Sequence, residues 1–199
     1  MDYVGNITDV KRKSEFDNLN PDYVLSFNYS DTYERLYGSG KMIKYDYIHG
    51  KADIEKTIES NNMVLGIDEY LEDDRKDKDI EFIAFKKFYQ RIYKGASCEY
   101  RIWAFNIKES AKLKKQKLRT EYPIQIPFDY FAENQRHYLY IYGHSLDVTD
   151  EDVLRELILN DNVYTTIYCL DKKDLKRKIA NLVKVIGQDE LIRRTGGKQ

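Results

Sequence analysis

Two side chains with complementary chemistry, Asn28 and His49, follow two successive apolar runs of the sequence. A histidine has an unperturbed pKa of about 6.5, so His49 can accept a proton near neutral pH and is the candidate general base. The Asn28 amide exchanges no proton, but it donates and accepts hydrogen bonds and can hold a hydroxyl group or a water molecule. Gly50 follows His49 and predicts a backbone position that a ligand can approach closely. A packed histidine that bonds to the backbone is the alternative role for His49.

The chain around Asn28 predicts a strand followed by a short helix. The apolar pair Val24-Leu25 leads into Asn28 and predicts a strand that ends there. Asp31 is a typical N-cap residue, and Glu34 stands at the capping-box spacing behind it. We therefore expect a capped helix that begins at this point and ends near Gly38.

A second strand is predicted over residues 41–49, and it ends at His49. The polar stretch that follows, as far as Asn62, is expected to be helical. The short connection between the two strands favours a tight parallel unit, in which both strands end at the same edge. Open α/β sheets bind their ligands at that edge. The sequence therefore predicts that Asn28 and His49 lie together at a ligand site.

The remaining pattern predicts an α/β fold. A third strand is expected over residues 63–67, a fourth, buried on both faces, over 137–143, and a fifth over 163–170. Phe82, Phe85, Tyr89 and Ile92 stand at helical spacing and predict an amphipathic helix over 80–93 with its aromatic stripe inward. These elements indicate a Rossmann-like parallel sheet of about five strands with helices on both faces.

We expect one domain over residues 1–199, with a helical insertion or cap over about residues 68–136. In this insertion the basic run 112–119 favours a solvated helix face or loop over a surface for nucleic-acid phosphates. Asp171 is expected to cap the last long helix, whose inward apolar stripe is formed by Leu175, Ile179, Leu182, Val183 and Ile186. The residues from 193 onward are expected to be loose.

Three segments of the sequence resemble one protein family. FNYSDTYERLY at residues 27–37, YIHG at 47–50 and YIYGHSLDVTDEDVL at 140–154 resemble, in the family's order, blocks of the AbiH abortive-infection proteins of bacteria. That family is in turn similar to the sirtuin-like (SIR2) NAD-consuming proteins, in which an Asn of an N-Y-D-like element and a His of an H-G element carry the active site. The Gly-rich G-N-G-F-D element with which such proteins normally begin has no counterpart in the polar residues 1–22. We therefore expect a domain that is incomplete at its N-terminus and binds a dinucleotide weakly.

The resemblance implies a site and a substrate. Asn28 and His49 match the catalytic pair, and the implied reaction is cleavage of the nicotinamide glycosidic bond of NAD by an NAD+ glycohydrolase. The resemblance implies further cofactor-binding residues beside Asn28, which are Phe27, Asp31, Gly50, Gly143, Ser145, Leu146 and Asp147. The last four belong to a Gly turn before a helix N-terminus, an arrangement that offers N–H groups to a phosphate or ribose. His144 in this turn is expected to be held by its own backbone contacts.

Two functions from different classes follow. The first is a phage-defence enzyme that stops infection by depleting NAD. The second is a non-catalytic nucleotide-binding or protein-interaction module, a fragment or diverged member of the family. The expected partners are a nicotinamide or adenine nucleotide, and in addition a second copy of the chain or a trigger derived from the phage.

The amino-acid composition limits the classes of binding partner and the cellular compartment that we expect. The 33 basic and 34 acidic residues give a net charge of -1, which provides no general attraction to nucleic acid. No apolar run reaches the roughly 20 residues that cross a bilayer, and no signal core is seen, so a cytoplasmic protein without a membrane partner is expected. Cys98 and Cys169 are expected to be reduced thiols. Two Cys and 3 His do not make a closed zinc site, so we expect no structural metal.

Overall fold

The computed structural model describes residues 11–57, 59–66, 83–121 and 136–196, and in the helix over 99–121 it describes side chains as far as residue 109 and at Lys112. The chain divides into two units, Met1–Tyr100 and Arg101–Gln199. The described residues are mixed α/β, as predicted, and form two small parallel sheets of two strands each. Assembly of these strands into one Rossmann-like sheet stays a prediction.

The first unit contains the predicted strand–helix–strand segment. Strand β1 (Tyr23–Ser26) is followed by helix α1 (Thr32–Tyr37) and strand β2 (Lys44–Tyr47). The two strands pair in parallel, with Ser26 opposite Tyr47 at their carboxyl ends. The tight parallel unit is therefore confirmed, although β2 is shorter than predicted.

Helix α1 lacks the capping box that its sequence predicts. Asp31 stands at the N-cap position, but its side chain makes no cap hydrogen bond. The Asp31 carboxylate instead pairs with Arg35 Nε at 2.8 Å and with Lys51 Nζ at 3.2 Å. Glu34 Oε2 accepts hydrogen bonds from the Tyr47 hydroxyl at 2.9 Å and from Lys51 Nζ at 3.2 Å. Both carboxylates bind cationic and hydroxyl donors instead of the helix N–H groups, because charge-assisted hydrogen bonds are stronger than hydrogen bonds between neutral groups.

The chain after β2 is irregular. Residues 51–57 and 59–66 contain turns and extended segments, so the helix and the third strand expected there are wrong over the described residues. The last residue of that predicted strand lies outside the described residues. Val64 N–H donates to the His49 carbonyl at 2.8 Å, and the Val64 carbonyl accepts from the Tyr29 hydroxyl at 2.6 Å. The Tyr29 hydroxyl is thus bonded to the Val64 carbonyl, which in a β-sheet would accept a backbone N–H group.

Helix α2 (Lys87–Tyr93) is shorter and less buried than its pattern predicts, since none of its residues is buried. Phe85 and Ile92, expected to point inward, are 59% and 78% exposed. Tyr89 is half-buried and stacks on the Tyr93 ring with centroids 6.0 Å apart. Phe82 lies outside the described residues. Helical spacing shows that an apolar face exists, but it does not determine that another element packs on that face.

The most buried side chains of the first unit include Ile48, Val64 and Tyr100. Asp46 is buried with them, and its Oδ2 accepts a hydrogen bond from the Tyr100 N–H at 2.8 Å. This carboxylate therefore satisfies an N-terminal N–H group of helix α3 (Glu99–Glu121) and complements the positive end of its dipole. The spacing of Tyr100, Trp103 and Ile107 predicts a helix here, and α3 confirms it.

The second unit repeats the strand–helix–strand order. Strand β3 (His137–Ile141) is followed by helix α4 (Glu151–Ile158) and strand β4 (Val163–Ile167), and the two strands pair in parallel. Helices α5 (Lys172–Ile186) and α6 (Gln188–Gly196) follow. Part of α6 lies where the sequence predicted a loose tail, so that prediction is wrong up to residue 196.

The core of the second unit is formed by apolar side chains of one turn and of helices α4 and α5, which are Leu146, Leu154, Ile158, Leu182, Val185 and Ile186. Only part of the stripe predicted for α5 contributes to it. Leu182 and Ile186 are buried, whereas Leu175, Ile179 and Val183 are exposed. The start of α5 is as predicted, because Asp171 accepts a hydrogen bond from the Asp174 N–H at 2.7 Å.

Strand β3 is not buried on both faces. Its burial alternates along the strand, with Tyr138 at 62% and Tyr140 at 44% exposure. Leu139 and Ile141, on the other face, pack against the core. This alternation is typical of a sheet that is covered on one side, so the prediction of a doubly buried strand is wrong.

The insertion expected over about 68–136 is described only over residues 83–121 and at Arg136, where the chain forms α2 and α3. Lys112 of the basic run is exposed, and the other side chains of that run lie outside the described residues. None of the helices in the described ranges combines the length and the apolar character that crossing a bilayer would require.

Candidate functional site

The predicted catalytic pair stands at one edge of the sheet in the first unit. Ser26 and Tyr47, the last residues of β1 and β2, lie opposite each other, and Asn28 and His49 each follow two residues later. Because the strands are parallel, the two loops leave the sheet at the same edge. The structure thus places both loops where the sequence predicted a ligand site.

Asn28 is exposed, and backbone contacts fix its loop. Its N–H donates to Ser26 Oγ at 3.2 Å, and the same hydroxyl donates to the Asn28 carbonyl at 3.2 Å. A serine that bonds to the backbone two residues on stabilises a turn. These bonds order the backbone of Asn28, while the exposure of the residue lets a ligand at this edge reach it.

His49 is buried, with an exposed fraction of 6%. Its ring meets the Phe27 ring edge to face with centroids 5.7 Å apart, and the Tyr29 ring lies at 6.5 Å. The His49 carbonyl accepts the Val64 N–H. Aromatic contacts fix the orientation of the imidazole and also restrict access to it, so the two roles derived from the sequence, general base and packed histidine, stay open.

Gly50 is required by the protein's own backbone. Its φ is +78°, and a Cβ at this position would lie 2.2 Å from the Asn62 carbonyl oxygen. The sequence predicted a close approach here by a ligand, whereas the approach that the structure shows is that of Asn62. The Asn62 Oδ1 also accepts the Lys51 N–H at 3.2 Å, so this contact fixes the chain directly after His49.

A charged cluster joins the two loops behind the pair. Lys51 Nζ lies 3.2 Å from Asp31 Oδ2 and 3.2 Å from Glu34 Oε2. Burial lowers the pKa of Lys51, but the hydrogen bonds to Glu34 and Asp31 and their charges outweigh it, so the pKa lies above its ordinary value. Burial, and then the hydrogen bond to Glu34, hold the pKa of the Tyr47 phenol well above its usual range. The cluster therefore keeps Lys51 charged and Tyr47 protonated.

Alkaline conditions are expected to destabilise the first unit through Tyr47. Because the raised pKa belongs to the folded state, this contribution to stability is complete below the unfolded-state pKa of about 10. It is lost as pH rises above 10 towards the folded-state pKa. In Tyr47→Phe, the urea midpoint should fall less between about pH 9 and about pH 11 than in the wild type. Tyr23→Phe, which replaces an exposed tyrosine of β1, is the control and should show the same decrease in urea midpoint as the wild type. An equal decrease in the wild type and in Tyr47→Phe would contradict the prediction.

The second unit holds the other predicted contacts in the turn after β3. Gly143 has a φ of +66°, and Leu146 adopts a left-handed φ of +58° with its side chain fully buried in the core. His144 Nδ1 accepts the Leu146 N–H at 2.9 Å, so His144 is held by its own turn, as predicted. The sequence predicts Thr149 or Asp150 as the cap of α4, and Asp150 stands at that N-cap position but makes no side-chain cap hydrogen bond. Asp147 Oδ1 instead accepts the Thr149 N–H at 3.2 Å in the 3₁₀ turn that precedes the helix.

This turn uses its N–H groups internally and carries acidic side chains. The Leu146 amide, which belongs to the predicted contact residues, and the neighbouring Thr149 amide are bonded to side chains of the turn. Glu151 and Asp152 stand in the first turn of α4 and offset the positive end of its dipole. Ser145 is exposed, and its carbonyl accepts the Asn181 amide at 2.9 Å. The turn is therefore better suited to hydroxyl groups than to a phosphate.

A stacked tyrosine pair stands at the carboxyl ends of β3 and β4. Tyr142 and Tyr168 directly follow these strands, with ring centroids 3.9 Å apart and planes 13° apart. The Tyr168 carbonyl accepts a hydrogen bond at 2.6 Å from Lys178, whose side chain is buried. The sequence analysis did not single out these residues, although the position of a Tyr directly after each strand was the signal that could have found them.

A family model described as Bacteriophage abortive infection AbiH matches residues 2–169. The chain belongs to the AbiH family. The match includes Asn28, His49 and the turn from Gly143 to Asp147, whereas α5 and α6 follow it. Membership of this family supports a role in abortive infection, a bacterial defence against bacteriophage. No curated protein and no solved structure matches the chain.

The first unit of this AbiH protein has a surface depression of about 430 Å³ beside the loops that follow β1 and β2. Asp31 and Lys51 line it, whereas Asn28 and His49 do not. Charged residues of both signs dominate its wall, three acidic and three basic, which are Asp31, Asp53, Glu55, Arg35, Lys51 and Lys56. Its charge balance suits a polar ligand of low net charge. The proton acceptors of the depression are carboxylates, whereas the strand ends carry the imidazole of His49.

In the described part of the AbiH chain no three His, Cys, Asp or Glu side chains come together as a metal site. Cys98 is exposed, Cys169 is half-buried, and both are free thiols. Lys51 was missed by the sequence analysis. Its place directly after His49-Gly50, and the two acids at the start of α1, were the signals that could have pointed to it.

Proposed function

We propose that this AbiH protein acts in phage defence by hydrolysing the nicotinamide glycosidic bond of NAD, with His49 and Asn28 as its catalytic pair. The observation that carries the proposal is that both residues follow the carboxyl ends of two adjacent parallel strands. This edge is where open α/β sheets bind their ligands. The similarity of the AbiH family to sirtuin-like proteins supports NAD as the ligand.

In the proposed reaction, the bond between the nicotinamide nitrogen and ribose C1′ breaks, and a water oxygen bonds to C1′. The electron pair of the broken bond goes to the pyridine nitrogen, so nicotinamide leaves neutral. His49 takes the proton of the attacking water, a contribution typically worth ~10²–10⁴-fold in rate. Asn28 donates to the water or accepts from a ribose hydroxyl, because its amide can do both.

The other predicted cofactor contacts take supporting roles in this proposal. Phe27 packs on the His49 ring and orients it, and Gly50 sets the course of the chain behind it. Ser145 and Asp147 belong to the turn after β3 in the second unit, and their contact with a dinucleotide stays a prediction from the family resemblance. Gly143 permits the turn, and the buried Leu146 side chain supports it from below.

The test is incubation of the full chain with millimolar NAD, with nicotinamide and ADP-ribose separated by chromatography. We expect the two products in equal amounts, because hydrolysis makes one of each. A high NAD concentration is used because the sequence predicts weak dinucleotide binding. Absence of nicotinamide release by properly folded protein, both alone at high concentration and in lysate of infected cells, would contradict the proposal.

The second candidate is a non-catalytic nucleotide-binding or protein-interaction module. The burial of His49 favours it, since a catalytic base must reach its substrate. Calorimetry separates the two functions: binding of NAD or ADP-ribose, with no nicotinamide release even in infected-cell lysate or at high protein concentration, identifies the module. A phage-derived trigger or a second copy of the chain, if required, would appear as nicotinamide release only in infected-cell lysate or only at high protein concentration.

A further inference from the structure

We infer that Lys51 is a positioning residue, which holds together the two loops that carry Asn28 and His49 through its ion pair with Asp31. This inference rests on the proposed function, because it assigns Lys51 a role in the same site. Lys51 follows His49 by two residues, and Asp31 follows Asn28 by three. An ion pair between them therefore joins the loops close to both catalytic side chains.

The contacts across the loops include an ion pair and a backbone hydrogen bond, in addition to the ring contacts of His49 with Phe27 and Tyr29. Lys51 Nζ lies 3.2 Å from Asp31 Oδ2, and the Ala52 N–H donates to the Tyr29 carbonyl at 2.8 Å. The backbone bond fixes the separation of the loops at one point. A second polar link at a neighbouring residue restrains the loops from turning about that point. Lys51 supplies this second link.

The ammonium group of Lys51 is held from two directions. Glu34 Oε2 lies 3.2 Å from Nζ and also accepts the Tyr47 hydroxyl at 2.9 Å. The second Asp31 oxygen pairs with Arg35 at 2.8 Å, so this carboxylate too is fixed. Lys51 thereby connects the loop after β2 to α1 and to the end of β2, as well as to the loop after β1.

Because the ion pair is partly exposed to solvent, its effect on the position of the loops should be larger than its effect on the free energy of unfolding. The Lys51 and Asp31 side chains are 39% and 29% exposed, and pairs this accessible to solvent contribute little to the free energy of unfolding. Catalysis is more sensitive, because a displacement of about 1 Å in a reacting group costs as much as ~10²-fold in rate. Loss of Lys51 should therefore alter turnover much more than stability.

The first arm of the test measures kinetics on Lys51→Met in the full chain. We expect kcat for nicotinamide release to fall about tenfold or more, with KM within about twofold of wild type and a nearly unchanged melting temperature. Lys51→Arg keeps the cation and should restore most of kcat. Lys44→Met removes an equivalent charge from the exposed start of β2, at the opposite edge of the sheet, and should behave as wild type.

The second arm needs no activity. Hydrogen exchange at the Ala52 amide, which bonds to the Tyr29 carbonyl across the two loops, should be faster in Lys51→Met than in wild type, because the loops then separate more often. Unchanged exchange overturns the inference, whatever the kinetics show. Should Lys51→Met fail to fold, Asp31→Asn removes the same ion pair at constant side-chain size and replaces it.

The two arms keep this inference distinct from the proposed function. If the wild type releases no nicotinamide, either alone at high concentration or in lysate of infected cells, the proposed function fails, and faster exchange in Lys51→Met still supports the coupling of the loops. If the wild type is active and Lys51→Met keeps full kcat, the inference is wrong and the function stands. A raised KM at unchanged kcat also overturns it, because Lys51 would then bind substrate directly.

Discussion

Replacing His49 by alanine is expected to lower the rate of nicotinamide release by about 10²–10⁴-fold, and with it to abolish protection against phage. The imidazole is the group proposed to take the proton of the attacking water, and alanine leaves no base in its place. The measurement is the initial rate of nicotinamide release at saturating NAD, together with plaque counts on cells that express the variant.

Burial of His49 makes a matched variant necessary, since removing a ring of 6% exposure also leaves a cavity. His49→Gln fills most of that space but does not act as a base near neutral pH, so it should lose the same activity with a smaller loss of stability. His137→Ala at the start of β3 is the control histidine and should retain full turnover.

Asn28→Ala is expected to reduce nicotinamide release as well, with an unchanged melting temperature, because Asn28 is exposed and its loop is held through the backbone. Full turnover in His49→Ala, or in both His49→Gln and Asn28→Ala, would show that the pair is misassigned. The interaction-module function would then be the better account of this AbiH protein.

Replacing Gly50 by alanine is expected to destabilise the first unit by about 2–5 kcal/mol. A non-glycine residue with positive φ costs about 1–2 kcal/mol, and overpacking adds about 1–3 kcal/mol. Both apply at Gly50, whose φ is +78° and where a Cβ would stand 2.2 Å from the Asn62 carbonyl oxygen. Backbone atoms cannot move aside as a flexible side chain can, so the whole segment after β2 has to shift.

Gly40→Ala is the matched control. Gly40 also has a positive φ, +74°, but its Cβ would meet nothing within 4 Å. It should therefore lose only the conformational part, about 1–2 kcal/mol. Urea unfolding gives the two free energies, and hydrogen exchange of the Val64 amide, bonded to His49, reports the first unit by itself. Equal losses in the two variants would show that the Asn62 contact does not constrain Gly50.

Local patterns in the sequence were sufficient for the elements that depend on neighbouring residues. The order strand, helix, strand was predicted around Asn28, and the parallel pairing of β1 with β2 follows from the short connection. Asp171 was predicted as a cap and acts as one. Such features depend on contacts within a few residues of each other, so the residue types in a short window determine them.

Burial was less predictable than the elements themselves. The patterns of α2 and α5 predicted inward faces, but Ile92 and three of the five residues of the α5 stripe, among them Ile179, are exposed. Asp46, a charged residue that a sequence places on a surface by default, is buried at the start of α3. Periodicity identifies a face, whereas the elements that cover it are set by packing between segments distant in sequence.

The sequence by itself determined the order of secondary structure in both strand–helix–strand segments and the sheet edge at which Asn28 and His49 stand. It also showed the resemblance to the AbiH family, which the family match over residues 2–169 confirms. The tertiary structure decided which groups the side chains bind. Glu34 was expected to cap its own helix, but it accepts the Tyr47 hydroxyl from 13 residues away, and Asp46 accepts the N–H of Tyr100 across 54 residues. The reason is physical: a carboxylate binds the strongest donors that the fold brings within about 3 Å, and cations or hydroxyls on other elements outcompete local amides once the chain has folded.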